Sequence, residues 1–158
     1  ITTKENNVIT VEPERDELAF VGIPKIINTD VLEKITDKNE VPVLTPMGLD
    51  KNNQSYNINA DIAAGAVAKA LSSRRLLLMT NVEGVYDENK KLITEISADQ
   101  AAEMIKNETI NGGMIPKINT CIDAVSNGVR GVVIIDGRKS HSILHEIFSD
   151  KGAGTLIR

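Results

Sequence analysis

Two asparagines and an aspartate lie close together in a pattern that could bind an anion. Asn57 and Asn59 precede an alanine-rich stretch, and Asp61 lies two residues further on. Asn59 is a good helix N-cap, and at a helix start the amide side chains and the helix dipole would together favour a carboxylate. The simpler alternative, which spacing alone favours, is a capped helix whose Asp61 only compensates the dipole.

A glycine pair ahead of a lysine forms a second cluster. Gly112 and Gly113 are followed by Met114 and Lys117. Glycines allow backbone amides to approach a phosphate at a helix start, and the ammonium of Lys117 could bind the same group. The spacing differs from that of a Walker A loop, and a flexible loop with a solvated lysine is the simpler alternative.

A third polar segment, residues 80–87, follows an apolar run and contains Thr80, Asn81 and Gly84. A loop of this kind at a strand end could line an adenine or ribose pocket. Most such loops, however, are only turns, so the segment is weak evidence by itself.

Apolar runs and helical patterns alternate around these clusters. Residues 8–12 and 18–23 predict a hairpin or successive edge strands, and the runs at 41–45, 76–80 and 131–135 predict buried strands. Further segments predict helices over 30–38, 60–71, 97–106 and 141–148, another helix between Gly113 and Gly128, and a last strand over 155–157. Capping-box spacing supports two of the helix starts, Asp30 with Glu33 and Ser97 with Gln100. The alternation predicts an α/β fold, a three-layer α-β-α sandwich with a mainly parallel sheet, whose ligands bind at the carboxyl ends of the strands.

Composition restricts the classes of function. The chain has 158 residues, 41% of them hydrophobic, and a formal charge of −4, which is ordinary for one soluble globular domain over residues 1–158. The acidic balance and an aromatic content of 3% argue against a nucleic-acid partner or an anionic membrane surface. The apolar runs fall far short of the roughly 20 residues that a membrane span needs.

Cysteine and histidine offer little chemistry. The single cysteine, Cys121, excludes an internal disulfide and is compatible with the cytoplasm; we expect it to be buried and unreactive. His141 and His145 are four residues apart and could share a helix face, but no third ligand is evident, so we predict no metal site.

In combination, these clusters resemble those of the acetylglutamate kinases, a branch of the amino acid kinase family. The resemblance rests on residues 56–61, 80–85 and 112–117, on Asp136-Gly137-Arg138 followed by His141, and on the tail from Phe148 to Ile157. It implies an enzyme that transfers a phosphoryl group from ATP, with Mg²⁺, to the side-chain carboxylate of N-acetyl-L-glutamate in arginine biosynthesis.

The resemblance also implies roles for single residues. Asn57 and Asn59 would contact the acylated amino acid, Asp61 would organise the catalytic lysines, and Lys117 would contact the transferring phosphoryl group. The residues implied at the nucleotide are Thr80, Asn81, Gly84, Gly113 and Met114. Transfer to an ionised carboxylate needs two anions held in line with their charge neutralised, and no general base.

The resemblance covers only part of a family chain. Family members carry a further amino-terminal half with a glycine-rich lysine motif and a substrate-binding arginine, so we expect this chain to supply the nucleotide site and to be weak or inactive alone. A homo-oligomer in the cytoplasm, or in an organellar stroma or matrix, is also expected. The tail resembles the arginine site of feedback-inhibited relatives, with His141, Glu146, Gly152 and Gly154 as candidates, since a carboxylate can receive a guanidinium.

Three alternatives stay open. The chain could belong to a related kinase acting on another acid or on a nucleotide. It could be a non-catalytic module of the same fold that binds nucleotide or arginine, or a structural domain that binds no ligand. For the tail alone, a plain helix followed by a turn is the simpler alternative to an arginine site.

Overall fold

The protein is described by a computed structural model over residues 7–14, 20–150 and 152–158. The chain forms two compact units, which we name the first unit (residues 1–71) and the second unit (residues 72–158). The expectation of a single domain over the whole chain stays a prediction.

The described part of the first unit is a mixed sheet with helices. Its elements are β1 (Ile9–Pro13), β2 (Gly22–Ile27), α1 (Thr29–Thr36), β3 (Met47–Leu49), β4 (Ser55–Asn57) and α2 (Ala60–Ala70). The four strands lie in the order β2-β1-β3-β4; β1 is antiparallel to β2 and parallel to β3, and β3 is antiparallel to β4. Its core consists of the buried side chains of Val8, Ile9, Val11, Leu32, Ile58 and Ala63.

Gly48 lets β1 and β3 approach closely. A Cβ atom at this position would lie 2.5 Å from the carbonyl oxygen of Ile9 and 2.5 Å from Cγ1 of Val11. Any side chain would therefore push the two strands apart. β4 pairs with β3 and is followed by α2, so this close approach lies in the part of the sheet that precedes the helix.

The described part of the second unit is also a mixed sheet with helices. Its elements are β5 (Leu76–Thr80), β6 (Glu95–Ile96), α3 (Ala98–Lys106), α4 (Met114–Ser126), β7 (Val132–Asp136), α5 (Ser142–Phe148) and β8 (Gly154–Ile157). The four strands lie in the order β5-β7-β8-β6, in which β5–β7 and β6–β8 are parallel and β7–β8 is antiparallel. Every residue of β7 is buried; the apolar run at 131–135 predicts this for the first four, and the strand ends at the buried Asp136.

The α/β class is confirmed, but the sheet differs from the one predicted. The sequence predicted one mainly parallel sheet, whereas the structure has two mixed sheets, since hairpins at β1–β2 and β3–β4 and the return of β8 introduce antiparallel pairs. The first hairpin is one of the two arrangements predicted for residues 8–12 and 18–23. Its second strand begins at Gly22, and residues 18 and 19 of the predicted strand lie outside the described residues. Within the described ranges, no helix has the length and apolar character to cross a bilayer.

The two predicted capping boxes have different outcomes. At α3, the hydroxyl of Ser97 accepts from the Gln100 amide at 3.1 Å, and the Gln100 side chain accepts from the Ser97 amide at 2.9 Å, which confirms the prediction. At α1, the helix begins one residue earlier than predicted, so Asn28 is the N-cap and its side chain makes no capping bond. The Asp30 capping box is therefore wrong.

The predicted buried strand at residues 41–45 is also wrong. The segment has no regular structure, and the side chains of Val41 and Val43 are 85% and 91% exposed. A strand forms only where a neighbour completes its hydrogen bonds, and the described part of the chain supplies no such neighbour here.

Candidate functional site

The start of α2 presents two asparagine side chains on the surface of the first unit. Asn59 is the N-cap, and its Oδ1 accepts from the Asp61 amide at 3.0 Å and from the Ile62 amide at 3.3 Å. Asn57 ends β4, where its backbone amide donates to the Phe20 carbonyl at 2.8 Å. Both asparagines are exposed. The capping prediction is confirmed, and the capping bonds use only Oδ1 of the Asn59 side chain.

Asp61 lies in the first turn of α2 and is half-buried. A carboxylate there is stabilised by the positive end of the helix dipole. The first unit thus combines two neutral amide side chains with one carboxylate within five residues of chain. A neutral amide side chain can accept a hydrogen bond from an N–H group and donate one to a carboxylate. An acylated amino acid carries both of these groups.

The carboxyl ends of β5 and β7, with the residues that follow them, form a polar end of the second sheet, which we name the polar edge. The two strands are parallel, and Thr80 pairs in register with Asp136. The Gly137 amide donates to the Thr80 carbonyl at 2.8 Å. The loop containing Asn81 therefore leaves the sheet beside Asp136 and Gly137, at the edge where parallel sheets usually bind ligands.

Thr155, in β8, holds the loop that follows β5 against the sheet through two hydrogen bonds. Its buried hydroxyl accepts from the Val85 amide at 2.8 Å and donates to the carbonyl of Ile93. Gly84 is required beside it, because its φ is +156° and a Cβ atom there would collide with the Thr155 hydroxyl. Sequence reasoning did not assign this role to Thr155, since the two ends of the contact are 70 positions apart.

Two acidic and two basic side chains lie at the same edge. Arg138 binds the nearly buried carboxylate of Asp136 through Nε at 3.0 Å and Nη2 at 2.9 Å. These hydrogen bonds, together with one from the Arg138 backbone amide, lower the pKa of Asp136 to about 2. Lys139 forms an ion pair with Glu83. This pairing lowers the pKa of Glu83 and raises that of Lys139, mainly through the hydrogen bond between them.

The glycine pair lies at the start of α4. Gly113 is the N-cap, and Gly112 has a φ of +56°, a backbone conformation that suits glycine. A Cβ atom on either glycine would meet nothing within 4 Å, so the backbone here is open to an approaching group. The Met114 amide already donates to the Asn111 carbonyl at 3.3 Å, a long hydrogen bond. Lys117 is half-buried one turn into the helix.

The residues of the expected arginine site are only partly brought together. Glu146 accepts from the Ala153 amide at 2.7 Å and from Nη1 of Arg75 at 3.2 Å. Gly152 has a φ of +66°, and a Cβ there would lie 2.9 Å from Oε2 of Glu146. Both residues, with Arg75 and Gly154, line an open cavity of about 300 Å³.

His141 does not line this cavity. It precedes α5 in a left-handed conformation with φ of +60°, so it does not share a helix face with His145 as the sequence suggested. No group of three or more metal-binding side chains occurs among the residues that the structure describes. Cys121 is fully buried, as predicted.

Comparisons with known proteins agree with the sequence resemblance. The amino acid kinase family model matches residues 3–136. The acetylglutamate kinase of Pelagibacter ubique is 58% identical over all 158 residues, which cover 55% of that protein. The acetylglutamate kinase of Rhodospirillum rubrum is 50% identical over 142 residues, or 90% of this chain and 46% of the relative.

A solved structure has a similar fold. The crystal structure of the protein smu.665 from Streptococcus mutans UA159 superposes with a TM-score of 0.81 at 33% identity, over 99% of this chain and 59% of that one. The chain spans about half the length of the curated relatives it matches. With the family model covering most of its residues, the chain belongs to the amino acid kinase family.

Proposed function

We propose that this chain is part of an acetylglutamate kinase, which transfers a phosphoryl group from ATP to the side-chain carboxylate of N-acetyl-L-glutamate in arginine biosynthesis. The observation that carries the proposal is the 58% identity, over the full length of this chain, to a relative named for that activity. In this proposal the second unit binds the nucleotide, and the first unit contributes to the binding of the acylated amino acid.

The polar start of α2 supports the choice of substrate. N-acetyl-L-glutamate carries an amide and two carboxylates, so it offers both an N–H to accept from and oxygens to donate to. Asn57 and Asn59 are exposed and neutral, and their side-chain amides fit both kinds of group. Free glutamate instead carries an ammonium group, which a neutral amide pair recognises less well than a carboxylate would.

The edge of β5 and β7 supports nucleotide binding in the second unit. Thr80, Asn81 and Gly84 lie at the carboxyl end of a parallel strand pair. In the proposal they border the nucleotide together with Gly113 and Met114, where the open backbone of α4 admits a bulky group. Lys117 neutralises charge on the transferring phosphoryl group, and Asp61 organises the catalytic lysines.

The use of ATP implies a Mg²⁺ ion, which would arrive with the nucleotide; the carboxylates of this edge are poorly suited to bind it, because both are already paired. Mg²⁺ commonly uses one or two carboxylates, substrate phosphates and water. Glu83 and Asp136 are the carboxylates of this edge, and both are paired with cations of the chain itself. The phosphates of ATP would therefore supply most of the ligands, and the bound ion would neutralise phosphate charge. The attacking carboxylate is ionised at neutral pH, so the chain needs to align two anions rather than move a proton.

Arginine binding is a second candidate function of the tail. Glu146 already accepts a hydrogen bond from the guanidinium of Arg75, so its carboxylate is oriented to receive that group. An arginine entering the adjacent cavity would compete with Arg75 for the Glu146 carboxylate. Gly152 and Gly154 line the same cavity. His141 has no supporting contact in this arrangement. Self-association and a cytoplasmic location stay predictions.

Turnover in a completed enzyme tests the proposed function. The part of the Pelagibacter ubique relative that this chain does not span is joined ahead of it, and ADP release is measured with ATP, Mg²⁺ and N-acetyl-L-glutamate. L-Glutamate and L-aspartate serve as competing acceptors. We expect turnover with N-acetyl-L-glutamate, little with either free amino acid, and weak or no activity from the unjoined chain.

Lys117→Ala and Lys106→Ala provide a matched pair in that assay. Lys106 is exposed at the end of α3 and is not among the residues proposed to contact a ligand. Loss of turnover only in Lys117→Ala supports the assignment. A folded chimera that binds nucleotide and N-acetyl-L-glutamate without turnover would favour the non-catalytic binding module, and preference for another acid would favour a different kinase.

A further inference from the structure

The sequence contains two asparagine–glycine pairs, Asn111–Gly112 and Asn127–Gly128. An asparagine before a glycine is chemically unstable, because the backbone nitrogen of the glycine can attack the amide carbon of the asparagine side chain. Glycine carries no Cβ that would hinder this attack, and asparagine is one of the thermolabile residues of proteins. Both pairs are exposed, so water reaches each of them.

Hydrogen bonds hold the second pair in place. At the end of α4, the side-chain Nδ2 of Asn127 donates to the backbone carbonyl of Asp123 at 2.8 Å and to Oδ1 of the same residue at 3.0 Å. The Gly128 amide donates to the Val125 carbonyl at 3.2 Å. The attacking nitrogen and the side chain that it would attack are therefore both bound to other groups.

The first pair is less constrained. Asn111 lies between α3 and α4, and its Nδ2 donates to the Glu108 carbonyl at 3.3 Å, a long hydrogen bond. Among the described residues, no backbone carbonyl accepts from the Gly112 amide. A Cβ atom at Gly112 would meet nothing within 4 Å, so there is room for the ring that the attack forms. Asn111 is therefore the more reactive of the two asparagines.

We propose that Asn111 is a site of spontaneous deamidation, which places a carboxylate beside the open start of α4. The Gly112 nitrogen forms a bond to Cγ of Asn111, the bond from Cγ to Nδ2 breaks, and ammonia leaves with the proton of the Gly112 amide. One water molecule then opens the cyclic imide: its hydroxyl stays on the opened carbon, and its proton returns to the Gly112 nitrogen. Opening at Cγ leaves an aspartate, and opening at the backbone carbonyl carbon leaves an isoaspartate.

The new charge lies where the proposed function needs an anion to bind. Asn111 directly precedes the glycine pair, and its carbonyl accepts from the Met114 amide at 3.3 Å. A carboxylate here lies near the positive end of the α4 dipole, which stabilises the helix, but it repels phosphates that approach Gly113 and Lys117. Nucleotide binding should therefore weaken while the fold keeps its stability. This consequence, unlike the deamidation itself, rests on the proposed nucleotide site.

Ageing of the purified chain, followed by peptide mapping, tests the deamidation. Trypsin places the two asparagines on separate peptides, residues 107–117 and 118–130. Mass spectrometry detects the replacement of the side-chain NH₂ by OH, and an L-isoaspartyl methyltransferase detects isoaspartate. In the folded chain, Asn111 should react about tenfold or more faster than Asn127, because the second pair must first break three hydrogen bonds. In urea the two rates should become similar.

Titration with a non-hydrolysable ATP analogue and Mg²⁺ tests the consequence. Asn111→Asp should bind the analogue about tenfold more weakly than the parent, because nearby like charges repel, and its melting temperature should not fall. Asn127→Asp is the matched control and should bind like the parent. Ageing should weaken binding by the parent but not by Asn111→Gln, whose longer side chain forms a cyclic imide far more slowly.

Equal rates at Asn111 and Asn127 in the folded chain, or no reaction at Asn111, would overturn the proposed modification. Binding of the analogue by Asn111→Asp as tightly as by the parent would show that the proposed effect on nucleotide binding is wrong. A parent chain that binds no analogue would contradict the proposed nucleotide site instead. In that case the two reaction rates still decide whether Asn111 is the modification site.

Discussion

Replacing Thr155 with valine tests how the loop that follows β5 is held. The two side chains have nearly the same shape, but valine lacks the hydroxyl that links Val85 to Ile93. Thr155 is fully buried, so water does not replace the lost hydrogen bonds. The Val85 amide and the Ile93 carbonyl both lose a partner.

The magnitude follows from those two groups. A buried polar group left without a partner costs about 1–3 kcal/mol, so Thr155→Val should lower the free energy of unfolding by about 2–4 kcal/mol. For a chain of this length the melting temperature should fall by about 5–10 °C. If the loop borders a nucleotide as proposed, the variant should also bind a non-hydrolysable ATP analogue more weakly.

Thermal and urea unfolding followed by circular dichroism measure the effect. Thr94→Val is the control, because Thr94 is exposed and the same substitution there should change stability by less than about 0.5 kcal/mol. If Thr155→Val destabilises the protein no more than Thr94→Val does, the loop is not held by this hydroxyl and the argument fails.

Three further predictions concern single residues. Gly84→Ala should destabilise the protein by about 2–4 kcal/mol through collision with Thr155. Gly113→Ala, in open space at the N-cap of α4, should cost less than about 1 kcal/mol in urea unfolding. Because the pKa of Asp136 falls from 3.8 to about 2 on folding, its ionised form should stabilise the fold above about pH 4, and this contribution should be lost as the pH falls toward 2. Urea unfolding at pH 5 and pH 3 should therefore show less pH dependence in Asp136→Asn, and an unchanged pH dependence would contradict the pairing. Asn59→Ala should cost about 1 kcal/mol through the lost N-cap of α2, and equal stability of variant and parent would exclude that role.

Local patterns in the sequence predicted the local structure well. The Ser97–Gln100 capping box, the Asn59 N-cap and the buried strand β7 were all predicted from neighbouring residues and are observed. The two caps depend on contacts a few residues apart, and the burial of β7 was predicted from its apolar sequence alone.

Long-range contacts could not be predicted in this way. The Glu83–Lys139 ion pair joins residues 56 positions apart, and the Arg75–Glu146 contact joins residues 71 positions apart. The spacing of residues along the sequence does not reveal such pairs, because the two side chains meet only when distant segments pack together in the folded unit. The segment at residues 41–45 shows the converse error: its composition favours a strand, but pairing requires a neighbour that composition does not reveal.

A calorimetric titration tests most directly the claim that this chain carries the nucleotide site. The chain alone is titrated with a non-hydrolysable ATP analogue and Mg²⁺, alongside Lys117→Ala and the control Lys106→Ala. We expect weak, saturable binding by the parent and the control. Binding should be about tenfold or more weaker in Lys117→Ala, since a charge-assisted hydrogen bond contributes about 1.5–3 kcal/mol. Equal binding by all three proteins, or no binding by a folded chain, would contradict it.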